Sequence, residues 1–166
     1  MNLLNIYGNV LFSAAVPTIR DLVMAAVKAR ANLYGANLMR ANLMRANLTR
    51  ANLDGANHIS DLAAAQLNIL PVGSFIGWKK CQNNVIVKLM ISHKVRRSNA
   101  TGRKCRAESV RVLAVFGGNK GISIHDQKTI YRKGETVTCD TWNENRWVEC
   151  GGGIHFYLSR IEAENN

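Results

Sequence analysis

The chain has 166 residues, 47% hydrophobic and 20% charged, and its 22 Lys and Arg against 11 Asp and Glu give a formal net charge of +11. That length and apolar content support a substantial core, and no apolar run approaches the roughly 20 residues of a membrane-spanning helix. The start lacks a basic segment followed by a cleavable apolar stretch, so a soluble cytoplasmic protein is expected, and the surplus of positive charge points to an anionic partner.

The first element expected is a short apolar strand around Ile6 to Phe12. Pro17-Thr18 then opens a helix through Lys28, with Ile19, Leu22, Val23, Ala26 and Val27 on one face. Residues 1–29 read as a strand-helix cap on the segment that begins at residue 30.

From residue 30 to 58 the chain repeats every five residues: Ala31-Asn32-Leu33, Ala36-Asn37-Leu38, Ala41-Asn42-Leu43, Ala46-Asn47-Leu48, Ala51-Asn52-Leu53 and Ala56-Asn57. Five fits neither the 3.6 of an α-helix nor the 2 of a strand, so a small Ala and a large Leu recur inside only if the backbone winds as a solenoid. The spacing resembles the pentapeptide-repeat family. The resemblance implies a right-handed four-sided β-helix with the leucines inward and each residue lying below the one twenty positions later. On that geometry Arg30 stacks near Arg50, Gly35 on Gly55 and Tyr34 over Asp54, and His58 closes the leucine series. Arg30, Arg40, Arg45, Arg50, Met39 and Met44 face solvent. Six repeats make only about one and a half coils, so both ends need covering, and an exposed Met39 and Met44 stripe favours a homo-oligomer. Pentapeptide-repeat proteins that imitate DNA carry an acidic solenoid, whereas this one is arginine-bearing and short, which argues against mimicry.

Residues 59–72 read as a capping helix and linker: Ser60-Asp61 starts a helix over Leu62 to Leu67 that ends before Pro71. Residues 73–166 read as a small, basic, mostly antiparallel β domain. Its expected strands are Val85 to Ile91, Val110 to Phe116, Gly121 to His125, Thr129 to Arg132, Thr136 to Cys139 and Ile154 to Leu158, with a helical turn over Arg160 to Glu164. The segments Gly77-Trp78-Lys79-Lys80-Cys81, Arg97 to Ala107, and Glu149-Cys150 followed by Gly153-Ile154-His155-Phe156 are similar to a small domain found behind pentapeptide repeats in bacterial and phage proteins. That domain has no known function, so the resemblance implies no activity. The fold class is therefore mainly β: a short β-helix with an N-terminal cap, followed by an antiparallel β domain.

The strongest chemical signal is the basic run from Lys94 to Arg111, which holds Lys94, Arg96, Arg97, Arg103, Lys104, Arg106 and Arg111 against the single acid Glu108. A loop of Ser98 to Gly102 between cationic pairs brings hydroxyls and backbone N–H groups together, as a phosphate requires. The candidate phosphate ligands are Arg96, Arg97, Ser98, Thr101, Arg103, Lys104 and Arg106, with His155 as a secondary ligand beyond the Gly151-Gly152-Gly153 run. Trp78 and Trp147 are candidate stacking partners for a base. The alternative for each is structural: a solvated basic hairpin, core tryptophans and a glycine turn.

Nothing in the cysteine and histidine spacing resembles a metal site, and no cofactor is expected. Cys105 lies between Lys104 and Arg106, a setting that favours a reactive thiol, and His125-Asp126, adjacent in an expected strand, should face opposite ways. The function expected is a non-catalytic binding protein that holds a nucleotide or cyclic oligonucleotide signal, in the most concrete version a phage anti-defence protein sequestering a host signal. The alternatives are a nucleic-acid-binding or host-protein-binding inhibitor, and a small enzyme using Cys150 and His155.

Overall fold

A computed structural model describes residues 1–38, 41, 43, 46, 48, 51–53, 56 and 61–166, the side chains of residues 61–63 apart. Met39, Met44, Arg40, Arg45, Arg50, Asp54, Gly55 and His58 lie outside the described residues, and with them the expected methionine stripe and the Arg30, Gly35 and Tyr34 stacks. The described chain forms two compact units. One comprises Met1–Ile69 with Asn99–Gly102 and Asn145–Glu149; the other comprises Leu70–Ser98, Arg103–Glu144 and Cys150–Asn166.

The first unit opens with a hairpin of β1 (Asn2–Leu4) and β2 (Val10–Ser13). This corrects the expected strand over Ile6 to Phe12, because the Asn5 side chain caps a turn there. Its Oδ1 accepts from the N–H groups of Tyr7 and Asn9, and Gly8 takes the positive φ that closes the loop. Asn5 also bridges Ala36, and the Asn37 N–H donates to the Leu4 carbonyl, so the hairpin pairs with the start of the repeats. Helix α1 (Ile19–Lys28) begins at Thr18, whose side chain accepts from the Asp21 N–H, and it buries Leu22, Val23 and Ala26 as expected.

In the repeats Leu33, Leu38, Leu43, Leu48 and Leu53 are all buried at 0–2% exposure. The N–H of Ala36, Ala41, Ala46, Ala51 and Ala56 donates three residues back to the carbonyl of each preceding leucine, at 2.9–3.0 Å. One turn thus recurs every five residues, a regularity that neither a helix nor a flat strand produces. The Asn52 Nδ2 donates to Asn32 Oδ1 at 2.8 Å, twenty residues away. Helix α2 (Asp61–Leu67) comes next, and the Ser60 expected to start it lies outside the described residues. Asn99–Gly102 and Asn145–Glu149 complete this unit. Thr101 Oγ1 donates to the Ala51 carbonyl at 2.6 Å, Asn99 Nδ2 donates to that of Leu67 at 2.8 Å, and Arg146 donates to those of Ala64 and Asn99.

The second unit is built on antiparallel sheets. The largest has the order β10-β7-β4-β3, from β3 (Phe75–Lys80), β4 (Ile86–Ile91), β7 (Ser109–Phe116) and β10 (Thr136–Thr138). A second has the order β11-β6-β5, from β5 (Arg97–Asn99), β6 (Cys105–Ala107) and β11 (Ile154–Phe156), and β8 (Gly121–Ile122) pairs with β9 (Ile130–Tyr131). The chain ends in α3 (Arg160–Glu164), whose N-terminus carries a reciprocal capping box between Ser159 and Glu162. The runs expected as strands from Val85, Val110, Thr136 and Ile154 are strands. β3, β5 and β6 were not anticipated, and the run expected to extend to His125 ends at Ile122 and turns.

Alternation fixes the faces of the large sheet. Phe75, Gly77 and Lys79 pair with Ile91, Leu89 and Val87 on the inner face, where Phe156 packs so closely that a Cβ on Gly77 would lie 2.6 Å from its ring. Ile76, Trp78 and Lys80 lie on the opposite face with Met90, Lys88 and the buried Ile86.

Candidate functional site

A cavity of about 340 Å³ gathers several polar side chains of the second unit. Its floor is built by alternation in β6 and β11: Cys105, Ala107, Ile154 and Phe156 are buried in the core, which turns His155 and its cross-strand partner Arg106 to the other side. From the sheet, Lys79 arrives at the end of the inner row of β3. The turn after β8 brings His125 and Asp126 to the same cavity, correcting the expectation that they face opposite ways, because they lie in a turn and not in a strand. Residues 139–141 and the Gly151–Gly153 run close it.

The glycine run is held from behind. Arg106, only 2% exposed, donates through Nη1 to the carbonyls of Asn143 at 2.6 Å and Gly152 at 2.9 Å, and its guanidinium lies 4.7 Å from the centre of the Trp142 ring. A trans peptide directs its carbonyl and the next N–H oppositely, so a Gly152 carbonyl fixed on Arg106 aims the Gly153 N–H away from it. Gly153 has φ +135°, and a Cβ on Gly152 would lie 2.6 Å from Thr141 Oγ1 and 2.7 Å from the Thr141 carbonyl oxygen, so both positions require glycine. Among the described residues no protein acceptor takes the N–H of Gly151, Gly152 or Gly153.

Two side chains give the cavity its electrostatics. Lys79 Nζ donates to the His155 carbonyl at 3.2 Å and lies 5.7 Å from the centre of the Tyr131 ring. Burial lowers its pKa, against the opposing pull of Cys81 and Asp126. His155 is pushed down to about 4, first by burial and then by Lys104, Lys79, His125 and Arg106, so its imidazole is neutral at pH 7. Its Nε2 is buried with no hydrogen-bond partner, a vacant polar position beside the cavity. Asp126 is an internal brace, accepting from the N–H groups of Lys128 and Thr129 and from the Thr129 hydroxyl. Those bonds hold its carboxyl well below the usual range, against the opposing cost of burial.

Of the residues expected from sequence to bind phosphate, His155 lines this cavity, and the basic run is dispersed over protein partners. Arg96 forms ion pairs with Glu108 and Glu144, and Arg103 with Glu162 at 2.6 Å. Arg97 lies over the Phe75 ring and donates to the Ser92 carbonyl. Lys104 Nζ donates to Cys150 Sγ at 3.2 Å, and Arg106 is the clamp behind the glycines. Ser98 Oγ is buried without a partner, and Thr101 belongs to the first unit. Trp78 sits between Lys88 and Arg160, and Trp147 packs on the buried leucines of the first unit with Arg146 over its ring. Cys105 is fully buried and its thiol donates to the Arg103 carbonyl, whereas Cys150 is exposed and lines the cavity. Lys79 was missed by sequence reading, although its phase with Phe75 and Gly77 places it on the inner face.

Two family models match the chain. Residues 29–57 match Pentapeptide repeats (8 copies), which imply a β-helix, and residues 66–163 match a family of unknown function, DUF5758. The second match spans more than half of the chain, which therefore belongs to that family as a pentapeptide-repeat protein. No curated protein and no solved structure matches it. Among the described residues no helix is long and apolar enough to cross a membrane, and no group of His, Cys, Asp and Glu side chains could hold a metal ion.

Proposed function

We propose that the protein is a non-catalytic binder of a phosphate-bearing small molecule, taken up in the cavity beside Gly151–Gly153. The observation that carries this reading is the set of three glycine N–H groups without protein acceptors at a cavity that also presents Lys79 and the unpartnered Nε2 of His155. Backbone N–H groups and a lysine are what phosphate oxygens accept from, and a neutral imidazole donates equally well through the appropriate tautomer. The volume lies within the roughly 300–1,000 Å³ of small-molecule sites. The first unit serves as scaffold, a four-sided right-handed β-helix, a reading supported by the five-residue turn bonds and the Asn32–Asn52 amide pair twenty residues apart.

Calorimetric titration with inorganic phosphate tests the site. Lys79→Met is expected to weaken binding about tenfold or more, the loss of one charge-assisted bond. Equal affinities in the two proteins would reject the cavity as the anion site.

A second reading, nucleic acid as partner, is favoured by the outer face of the large sheet. Its strand positions carry Lys80, Lys88 and Arg111 beside Trp78, with Arg160 of α3 over the same ring and Glu164 beside Lys80. Binding there would weaken steeply with salt, whereas a small-molecule phosphate in the cavity competes for none of these residues.

A further inference from the structure

The cavity presents more than anion donors. Asp140, an exposed residue of this lining, has no ion-pair partner among the described residues, and its carboxylate is an acceptor open to a ligand's hydroxyl donors but not to its phosphate. It adjoins Thr141, whose Oγ1 would lie 2.6 Å from a Cβ on Gly152, and both residues line the cavity with the glycine run. Thr141 and Ser123 add hydroxyl and backbone groups to the same lining. A carboxylate so close to a phosphate site repels the phosphate itself. It is compatible with a ligand that places hydroxyl donors there and keeps its phosphate at the glycines.

The aromatic side of the lining points the same way. Tyr131 is 2% exposed and its ring lies beneath the Lys79 ammonium, and Trp78 and Trp147 have their partners elsewhere, so the exposed ring of the lining is the small His125 imidazole. Base recognition uses an open aromatic or guanidinium plane, and recognition of vicinal hydroxyls uses carboxylates and short polar side chains. At about 340 Å³ the cavity is also near the small end of ligand sites.

Resting on the proposed phosphate site, we infer that the ligand is a phosphorylated sugar or polyol, its phosphate on the N–H groups of Gly151–Gly153 and its hydroxyls on Asp140 and Thr141.

Calorimetry in phosphate-free buffer with three probes, inorganic phosphate, ribose 5-phosphate and adenosine 5′-monophosphate, tests this. Ribose 5-phosphate is expected to bind about tenfold or more tighter than inorganic phosphate, and the nucleotide no tighter than ribose 5-phosphate. Asp140→Asn should have opposite effects on two probes. It weakens ribose 5-phosphate by losing a charged acceptor, and it strengthens inorganic phosphate by removing a repelling charge. Equal affinity for inorganic phosphate and ribose 5-phosphate would overturn the inference while leaving the phosphate site standing, as would a nucleotide bound ten times more tightly than ribose 5-phosphate. Failure of all three probes to bind would overturn both readings.

Discussion

His155 shows how one position can carry opposite demands. Strand alternation removes it from the core that holds Ile154 and Phe156, yet burial and four neighbouring cationic or imidazole groups still deny it a proton. The folded pKa of about 4 lies below the ordinary 6.5, so the unfolded chain takes up the proton first. The resulting stability is full above about pH 6.5 and is lost as the pH falls toward 4. The loss is at most on the order of 3 kcal/mol. Urea denaturation from pH 7 to pH 4 should show this slope in the native sequence and a flatter one in His155→Gln. The paired Glu108 and Glu162, whose pKa values are lowered, lose their contribution only at more acidic pH. An unchanged slope in the variant would show that His155 is not the source of the acid sensitivity.

At the scale of the elements, periodicity was legible and partnership was not. The leucines of the repeats could be placed inside because their spacing excludes every regular alternative, and all five are buried. Leu43→Ala is therefore expected to cost about 2–5 kcal/mol, measured by equilibrium denaturation. A loss below about 1 kcal/mol would show that the core collapses around the gap. The helix at Thr18 was readable because its cap is local, as were the strands with long β-branched runs. β3 was missed because Gly77 and the two lysines look wrong for a strand. The structure supplies the reasons: Gly77 leaves room for Phe156, and Lys79 reaches the cavity. The basic run announced positive charge correctly, but sequence could not reveal that its own Glu108 pairs with Arg96, or that Glu144 and Glu162 pair with Arg96 and Arg103 from 48 and 59 residues away. Of the site, the glycine run and His155 were visible in advance, while Lys79, Asp140 and Thr141 depend on tertiary placement.

At the scale of the molecule, the first unit recruits two short segments from far along the chain. Arg146 satisfies the carbonyls of Ala64 and Asn99, and Trp147 packs on the leucine core. Arg146→Met should retain the stem's packing and leave both carbonyls without that donor, costing about 1–3 kcal/mol. Hydrogen exchange would locate the effect: amides around residues 61–67 should lose protection, although the substitution lies 82 residues beyond Ala64. Loss confined to residues 140–150 would show that the clamp is dispensable to the helix it touches.

These same returning segments set an order of events during synthesis. The repeats have a strong local pattern, yet Thr101 reaches Ala51 only after some 50 further residues have been made, and Trp147 reaches the leucine core later still. Contacts of such separation carry a loop-closure cost that is met before they contribute stability. The nascent repeats must therefore wait, unfinished on one flank, until residues 99–102 and 145–149 have emerged. The repeats are thus made well before the segments that complete them.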